Sequence, residues 1–274
     1  MTQTTMQFVP EVKALFNKIW SNYLEVTPSA LKIHDLLSSG DDLINDHVAY
    51  RTFNTSKVNL EKLAAHLIAL GYKEGGEYHF EAKKLYAKHF EHADSTLPKV
   101  FISELLVEKF SQPIQSIINT MVDAIDSSSV ENNSFLYSGT HWQVSYQDYQ
   151  TLLAESEYAA WMAAWGYRAN HFTVSINHLK NFDNIESVNT AVKNGGFLLN
   201  TAGGEIKGDK KVMLEQSSTI ADKAEVIFSD KAALIPSCFY EFAKRYPLEN
   251  GELYTGFVAA SADKIFESTN VKKV

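Results

Sequence analysis

The sequence predicts an α+β fold in which two βαβββ-like modules curl a sheet around a shared cleft, with added N-terminal and central helices. Three observations predict it. A strand–helix–strands order occurs twice, at about 46–110 and 169–247. Each copy opens on an apolar strand with a histidine near its start, His47 and His171. Each closes on a strand with an inward glutamate, Glu104 and Glu241. The copies share little sequence, so the repeat is one of pattern.

Residues 9–38 read as one or two helices, with Phe16, Ile19, Trp20 and Tyr23 at helical spacing and TPSALKIHDLL as a capped second segment. DHVAYRTF, 46–53, reads as a strand whose alternation puts His47, Ala49 and Arg51 on one face. An amphipathic helix, 59–72, ends at Gly71; 78–93 suggests one or two short strands, and 99–110 another with Ile102, Glu104 and Leu106 on one face. The middle, 112–167, is helical. Ile114, Ile117, Ile118, Met121, Val122 and Ile125 form a core-facing stripe, 126–134 is a loop, and 147–167 is again helix. ANHFTVSIN, 169–177, is a strand with His171, Thr173 and Ser175 on one face. IESVNTAVKNGGF is a helix closed by a glycine pair, and KVMLEQSS and KAEVIF are strands. SCFYEFAKRYP, 237–247, puts Phe239, Glu241, Ala243 and Arg245 on one face when extended.

With 274 residues the chain is long enough to bury a real core. Its 45% hydrophobic and 21% charged residues are ordinary for a globular protein. A net charge of -8 argues against a nucleic-acid partner, whose phosphates such a surface repels. The single cysteine, Cys238, excludes an internal disulfide and fits a reducing compartment. MTQTTMQFVP lacks a basic segment followed by an apolar run, and no apolar stretch nears the roughly 20 residues of a membrane span. The expectation is a cytoplasmic protein without a membrane or nucleic-acid partner; the oligomeric state is not legible.

The chain has only three arginines, and each lies within four residues of a candidate metal ligand: Arg51 after His47, Arg168 before His171, Arg245 after Glu241. Two histidines and one carboxylate on separate strands form a facial triad that leaves positions open on a metal ion, the usual arrangement of non-haem Fe(II) oxygenases. A guanidinium beside it suits a carboxylate substrate, because its planar fork matches two oxygens. Pattern alone leaves Glu104 and Glu241 evenly matched as the carboxylate. Glu104 otherwise serves as a fourth ligand, an acceptor behind the ligands, or half of an ion pair. Arg245 competes as a salt-bridge partner of Glu241, and Arg168 as a surface residue. Tyr86 and Ser175 are candidates behind the ligands. His79, His89 and His92 form a weaker cluster. Cys238 reads as a core thiol, Trp161 and Trp165 as helix packing, and Lys83-Lys84 as a solvated pair able to steer an anion.

Together DHVAYRTF with its HxxxR spacing, NHFTVSIN, YEFAKR and the closing GFVAASADKIFEST resemble the 2-oxoadipate dioxygenase/decarboxylase family, also called hydroxyglutarate synthase, over about 15–270. The resemblance implies a vicinal-oxygen-chelate-like fold, and the chain reads as a single metal-dependent domain over 1–274. It implies Fe(II), or another divalent metal, on His47, His171 and Glu241, which breaks the tie with Glu104. It implies Arg51 as the binder of a 2-oxo acid. The expectation built on it takes O2 as the second substrate and places Arg245 or Arg168 at the distal carboxylate. The expected reaction takes 2-oxoadipate to 2-hydroxyglutarate and CO2. The best-studied kind of member is considerably longer, which leaves the exact substrate open. Two other readings are a metal-dependent hydrolase, lyase or isomerase in the same cleft, and a binding protein for a small anion without turnover.

Overall fold

A computed structural model describes residues 8–38, 40 and 42–270. The stretch read for a leader lies largely outside them, at 1–7. In chain order the elements begin with α1 (Val9–Leu24), α2 (Pro28–Ser38), β1 (Asn45–Phe53), α3 (Leu60–Ile68), β2 (Lys73–Phe80), β3 (Leu85–Glu91) and β4 (Lys99–Leu105). The helical middle holds α4 (Gln112–Asp123), α5 (Ser127–Val130), α6 (Tyr146–Glu155) and α7 (Glu157–Trp165). Then follow β5 (Ala169–Ser175), α8 (Ile185–Asn194), β6 (Lys207–Asp209), β7 (Leu214–Ser218), β8 (Lys223–Ile227), β9 (Ala232–Pro236), β10 (Phe239–Arg245) and α9 (Ala259–Ile265).

Eight strands form one strongly curled sheet in the order β2-β3-β4-β1-β5-β10-β7-β6. Each half uses its own strands in the order first, fourth, third, second. In each half the opening strand pairs in parallel with the closing one, β1 with β4 and β5 with β10. The halves join through the antiparallel pair β1–β5. The two opening strands therefore lie side by side at the centre of the sheet, both buried along almost their whole length. KAEVIF forms a strand, but outside this sheet: β8 and β9 make a separate two-stranded ribbon. Lys223, Glu225 and Ile227 alternate on its exposed side, a face too polar for the core.

The stretch 147–167 is two helices rather than one. Ser156 leaves helical geometry at φ -148°, and its side chain accepts from Ala159 N to start α7. Every residue from Tyr158 to Trp165 is buried, so α7 belongs to the core. Tyr158 Oη bonds the backbone of Thr52 and Ser103, and the Trp161 and Trp165 indoles donate to Ser237 O and Pro236 O. The loop expected at 126–134 contains the short α5, whose cap is Asp126.

α7 stops at Gly166, which has φ +61°, and a Cβ there would meet Gly139 O at 2.2 Å. That atom is backbone and cannot rotate away. Gly166→Ala is expected to cost at least about 2 kcal/mol, measured as a lowered urea midpoint; an unchanged midpoint would refute the close approach.

Candidate metal centre

Strand alternation and register converge on one point. His47 lies opposite Thr173 on β5, and Glu241 lies opposite the same Thr173 from the other side. His171, two residues before Thr173, shares its face. Neighbouring strands are about 4.8 Å apart, so the three side chains meet above Thr173. One donor atom from each of His47, His171 and Glu241 lies within 4.8 Å of the others, and all three residues are buried. His171 Nε2 is 3.1 Å and His47 Nε2 3.6 Å from the Glu241 carboxylate. The Thr173 hydroxyl is 3.0 Å from His47 Nε2.

The far nitrogen of each ring is held by the preceding residue. Asp46 Oδ1 is 2.8 Å from His47 Nδ1, and Asn170 Oδ1 is 3.1 Å from His171 Nδ1. Acceptors there keep the ring proton on Nδ1 and leave Nε2 without one, so at His47 the Thr173 hydroxyl donates to it. Gln216 Nε2 donates to Glu241 Oε1 at 2.6 Å, while Glu241 Oε2, fully buried, receives no hydrogen bond. Burial raises the Glu241 carboxyl above its ordinary range. Burial, with His47 and Arg51 nearby, pushes His171 well below its own, so its ring is neutral with a lone pair to give. Two imidazole nitrogens and an unpaired buried carboxylate oxygen are a donor set that fits a divalent cation.

Arg245 lies behind this set. Its Nε and Nη2 donate to the two oxygens of Asp46 at 2.7 and 2.8 Å, a fully buried fork. Against the raising effect of burial, Arg245 and the bond from His47 hold the Asp46 carboxyl far below its usual range. Arg245 Nη1 donates to Tyr254 O and Gly256 O. That tether sets the Phe257 ring edge-on against His47, with centroids 4.8 Å apart.

A cavity of about 390 Å³, counted with its mouth, opens on the triad and is also lined by Arg51, Asn170 and Gln216. Phe257, Ala262, Ile265 and Phe266 roof it, all from the C-terminal GFVAASADKIFEST segment.

Of the arginines, only Arg51 reaches the cavity wall. Arg245 is committed to Asp46 rather than to Glu241. Arg168 donates from Nε to Trp165 O and stacks on that indole. Glu104 faces away: Ser103 and Phe101 occupy the cavity side of β4, so the next residue points to α3, where its carboxylate accepts from Leu60 N at 2.9 Å. Tyr86 Oη donates to Glu77, and Ser175 Oγ pairs with His178, so neither touches the ligands. His89 lies between Tyr78 and Glu91, and His92 accepts from Asp94 N. Among the described residues only His47, His171 and Glu241 form a group of metal-ligating type. The Cys238 thiol is buried and pushed up to about 12 by that burial, as a core thiol should be. Asp46, Asn170, Thr173 and Gln216 escaped notice as parts of the site. A local signal existed for two of them, because each histidine directly follows a residue with a side-chain acceptor, in Asp-His and Asn-His.

The family model for 2-oxoadipate dioxygenase/decarboxylase matches residues 1–253. The rice (Oryza sativa subsp. japonica) chloroplastic/amyloplastic 2-oxoadipate dioxygenase/decarboxylase is 36% identical, covering 94% of this chain and 79% of its own. The crystal structure of rice hydroxyglutarate synthase in complex with 2-oxoadipate superposes with a TM-score of 0.88 at 34% identity, covering 99% of this chain and 95% of that one. A Shewanella frigidimarina protein described as a candidate hydrolase is 60% identical, with a TM-score of 0.88 over 91% of this chain and 98% of its own. Matched over most of its length in both sequence and structure, the chain belongs to the 2-oxoadipate dioxygenase/decarboxylase family.

Proposed function

We propose that this enzyme binds Fe(II) through His47, His171 and Glu241 and converts a 2-oxo dicarboxylic acid, 2-oxoadipate, with O2 to 2-hydroxyglutarate and CO2. The observation that carries the reading is the buried three-donor group lining a cavity that Arg51 also lines. The reaction balances without another reductant: the first carbon leaves as CO2 with its own two oxygens, one atom of O2 completes the carboxylate formed at the former 2-oxo carbon, and the other becomes the new hydroxyl group. When bound, the metal supplies the redox chemistry that couples O2 to loss of the first carbon.

The chain's own groups do the rest. Asp46 and Asn170 fix the ring tautomers, and Gln216 holds one oxygen of Glu241 so that the other faces the centre. Arg51 supplies positive charge against a substrate carboxylate inside an apolar wall, where water screens it little. The roof from Phe257 to Phe266 excludes bulk water from the reaction.

Oxygen uptake by protein loaded anaerobically with Fe(II) tests the reading. With 2-oxoadipate, uptake should match CO2 and 2-hydroxyglutarate one to one to one, and His171→Ala should abolish it. No uptake with 2-oxoadipate, or with shorter and longer 2-oxo diacids, would move the assignment to oxygen-independent metal chemistry in the same cleft.

A further inference from the structure

Arg51 is the obvious anchor for a carboxylate, yet most of its fork is already in use. Nη1 donates to the Glu157 carboxylate at 3.2 and 3.4 Å, and Nη2 donates to Thr269 Oγ1 at 3.0 Å. The Tyr158 and Trp161 rings each lie 4.9 Å from the guanidinium carbon and hold its plane in place. Nε is buried and without a partner, and of the five N–H groups of the guanidinium one more, on Nη2, is left beside the bond to Thr269. A carboxylate accepts at about four lone-pair sites on two oxygens, which leaves room for a donor from another residue.

Asn170 has one to give. It lines the same cavity, is 1% exposed, and its Nδ2 is buried without a partner. The orientation of its amide follows from the site. His171 can offer Nε2 to a metal only when its ring proton is on Nδ1. The Asn170 atom 3.1 Å from Nδ1 must then be the acceptor oxygen, which leaves both amide N–H bonds pointing elsewhere. A buried amide donor without a partner is destabilising. Of the other polar groups on the wall, Ser103 Oγ is occupied by Tyr50 O and Tyr158 Oη, and Gln216 Nε2 already donates to Glu241. The Tyr50 hydroxyl also lacks a partner, but Tyr50 directly precedes Arg51 on β1 and its side chain alternates to the opposite face.

We infer that Asn170 is a substrate-binding residue as well as a positioning residue: its Nδ2 and Arg51 Nε donate to one carboxylate of a small 2-oxo acid, while its Oδ1 holds His171 in the metal-binding tautomer. This rests on the reading of the cavity as a 2-oxo acid site. One amide thereby ties the substrate's position to the orientation of a metal ligand.

The test uses the full chain loaded with Co(II) under nitrogen, with the visible absorption of the ion as the readout and no turnover. Asn170→Asp keeps an acceptor for His171 Nδ1 but replaces the donor with a negatively charged oxygen. It should bind Co(II) within about threefold of wild type and lose at least about 30-fold in affinity for 2-oxoadipate and for oxalate, a minimal dicarboxylate probe. Asn170→Ala, which adds no charge, should bind Co(II) more weakly. At saturating Co(II) it should still lose about tenfold in affinity for both anions. That loss separates a missing donor from mere repulsion by the new aspartate, and it serves as the test if Asn170→Asp does not fold.

Wild-type affinity for the anions in Asn170→Ala at saturating Co(II) would overturn the inference and leave the assigned function standing. Wild type that binds oxalate but not 2-oxoadipate would overturn the assigned substrate, and the oxalate titrations would then decide the role of Asn170. Wild type that binds neither anion would overturn both.

Discussion

Glu241→Gln is expected to lower turnover of 2-oxoadipate at least about a thousandfold while leaving the folded protein as stable as wild type, or more so. The two effects have one cause. Glu241 is fully buried, and one of its oxygens receives no hydrogen bond. Its charge is therefore a liability to the metal-free fold, which a cation would relieve. Glutamine has nearly the same shape and removes the charge. It also removes the one anionic ligand of the triad, so metal affinity should fall by about 100-fold or more. Thermal unfolding with and without added divalent metal separates these terms. Wild type should gain a large rise in Tm on metal addition, and Glu241→Gln should start at or above the metal-free wild-type Tm and gain little. A variant that kept the metal-induced rise would show that Glu241 is not a ligand.

Arg245→Met is expected to destabilise the protein by about 3–5 kcal/mol, because it strands the Asp46 carboxylate as a buried, uncompensated charge. The ion pair is almost wholly out of solvent, with side-chain exposures of 3% and 4%. The same guanidinium tethers Tyr254 O and Gly256 O, so the segment that sets Phe257 over His47 should loosen as well. Adding Asp46→Asn should recover part of the stability, since the stranded charge disappears with it. Urea unfolding of the two single variants and the double variant measures the coupling. If Arg245 instead met the distal carboxylate of the substrate, Arg245→Met would raise KM and leave the unfolding midpoint unchanged. The fork to Asp46 argues for the first outcome.

Much of the architecture was legible because it is written locally. Period-2 alternation around His47 and His171 marks both opening strands, and helical spacing marks α4 and α8. The histidines stand out since a polar ring on an otherwise apolar strand demands a partner. The repeated strand–helix–strands order then places the two rings on like elements of like modules. The break inside 147–167 was less visible. Ser156 follows an unbroken helix-forming run, and only its capping of α7 shows why the chain turns there.

The sequence by itself determined the modules, the two histidines and the presence of two candidate glutamates, because strand faces and helix stripes depend on neighbours a few residues away. Tertiary structure decided which glutamate meets the histidines. Glu104 and Glu241 occupy similar closing strands, but β4 turns Ser103 to the cavity and β10 turns Glu241 to it. A shift of one residue exchanges the two faces of a strand, and the pairing of distant strands sets that register. Tertiary structure also decided the arginines. Arg245 is close to Glu241 in sequence, but its fork belongs to Asp46, 199 residues away. Arg51 shares a strand with His47, but Glu157 and Thr269 occupy its terminal nitrogens. Hydrogen bonds of buried charges are satisfied by whatever packing brings near, and no local pattern in the chain specifies that.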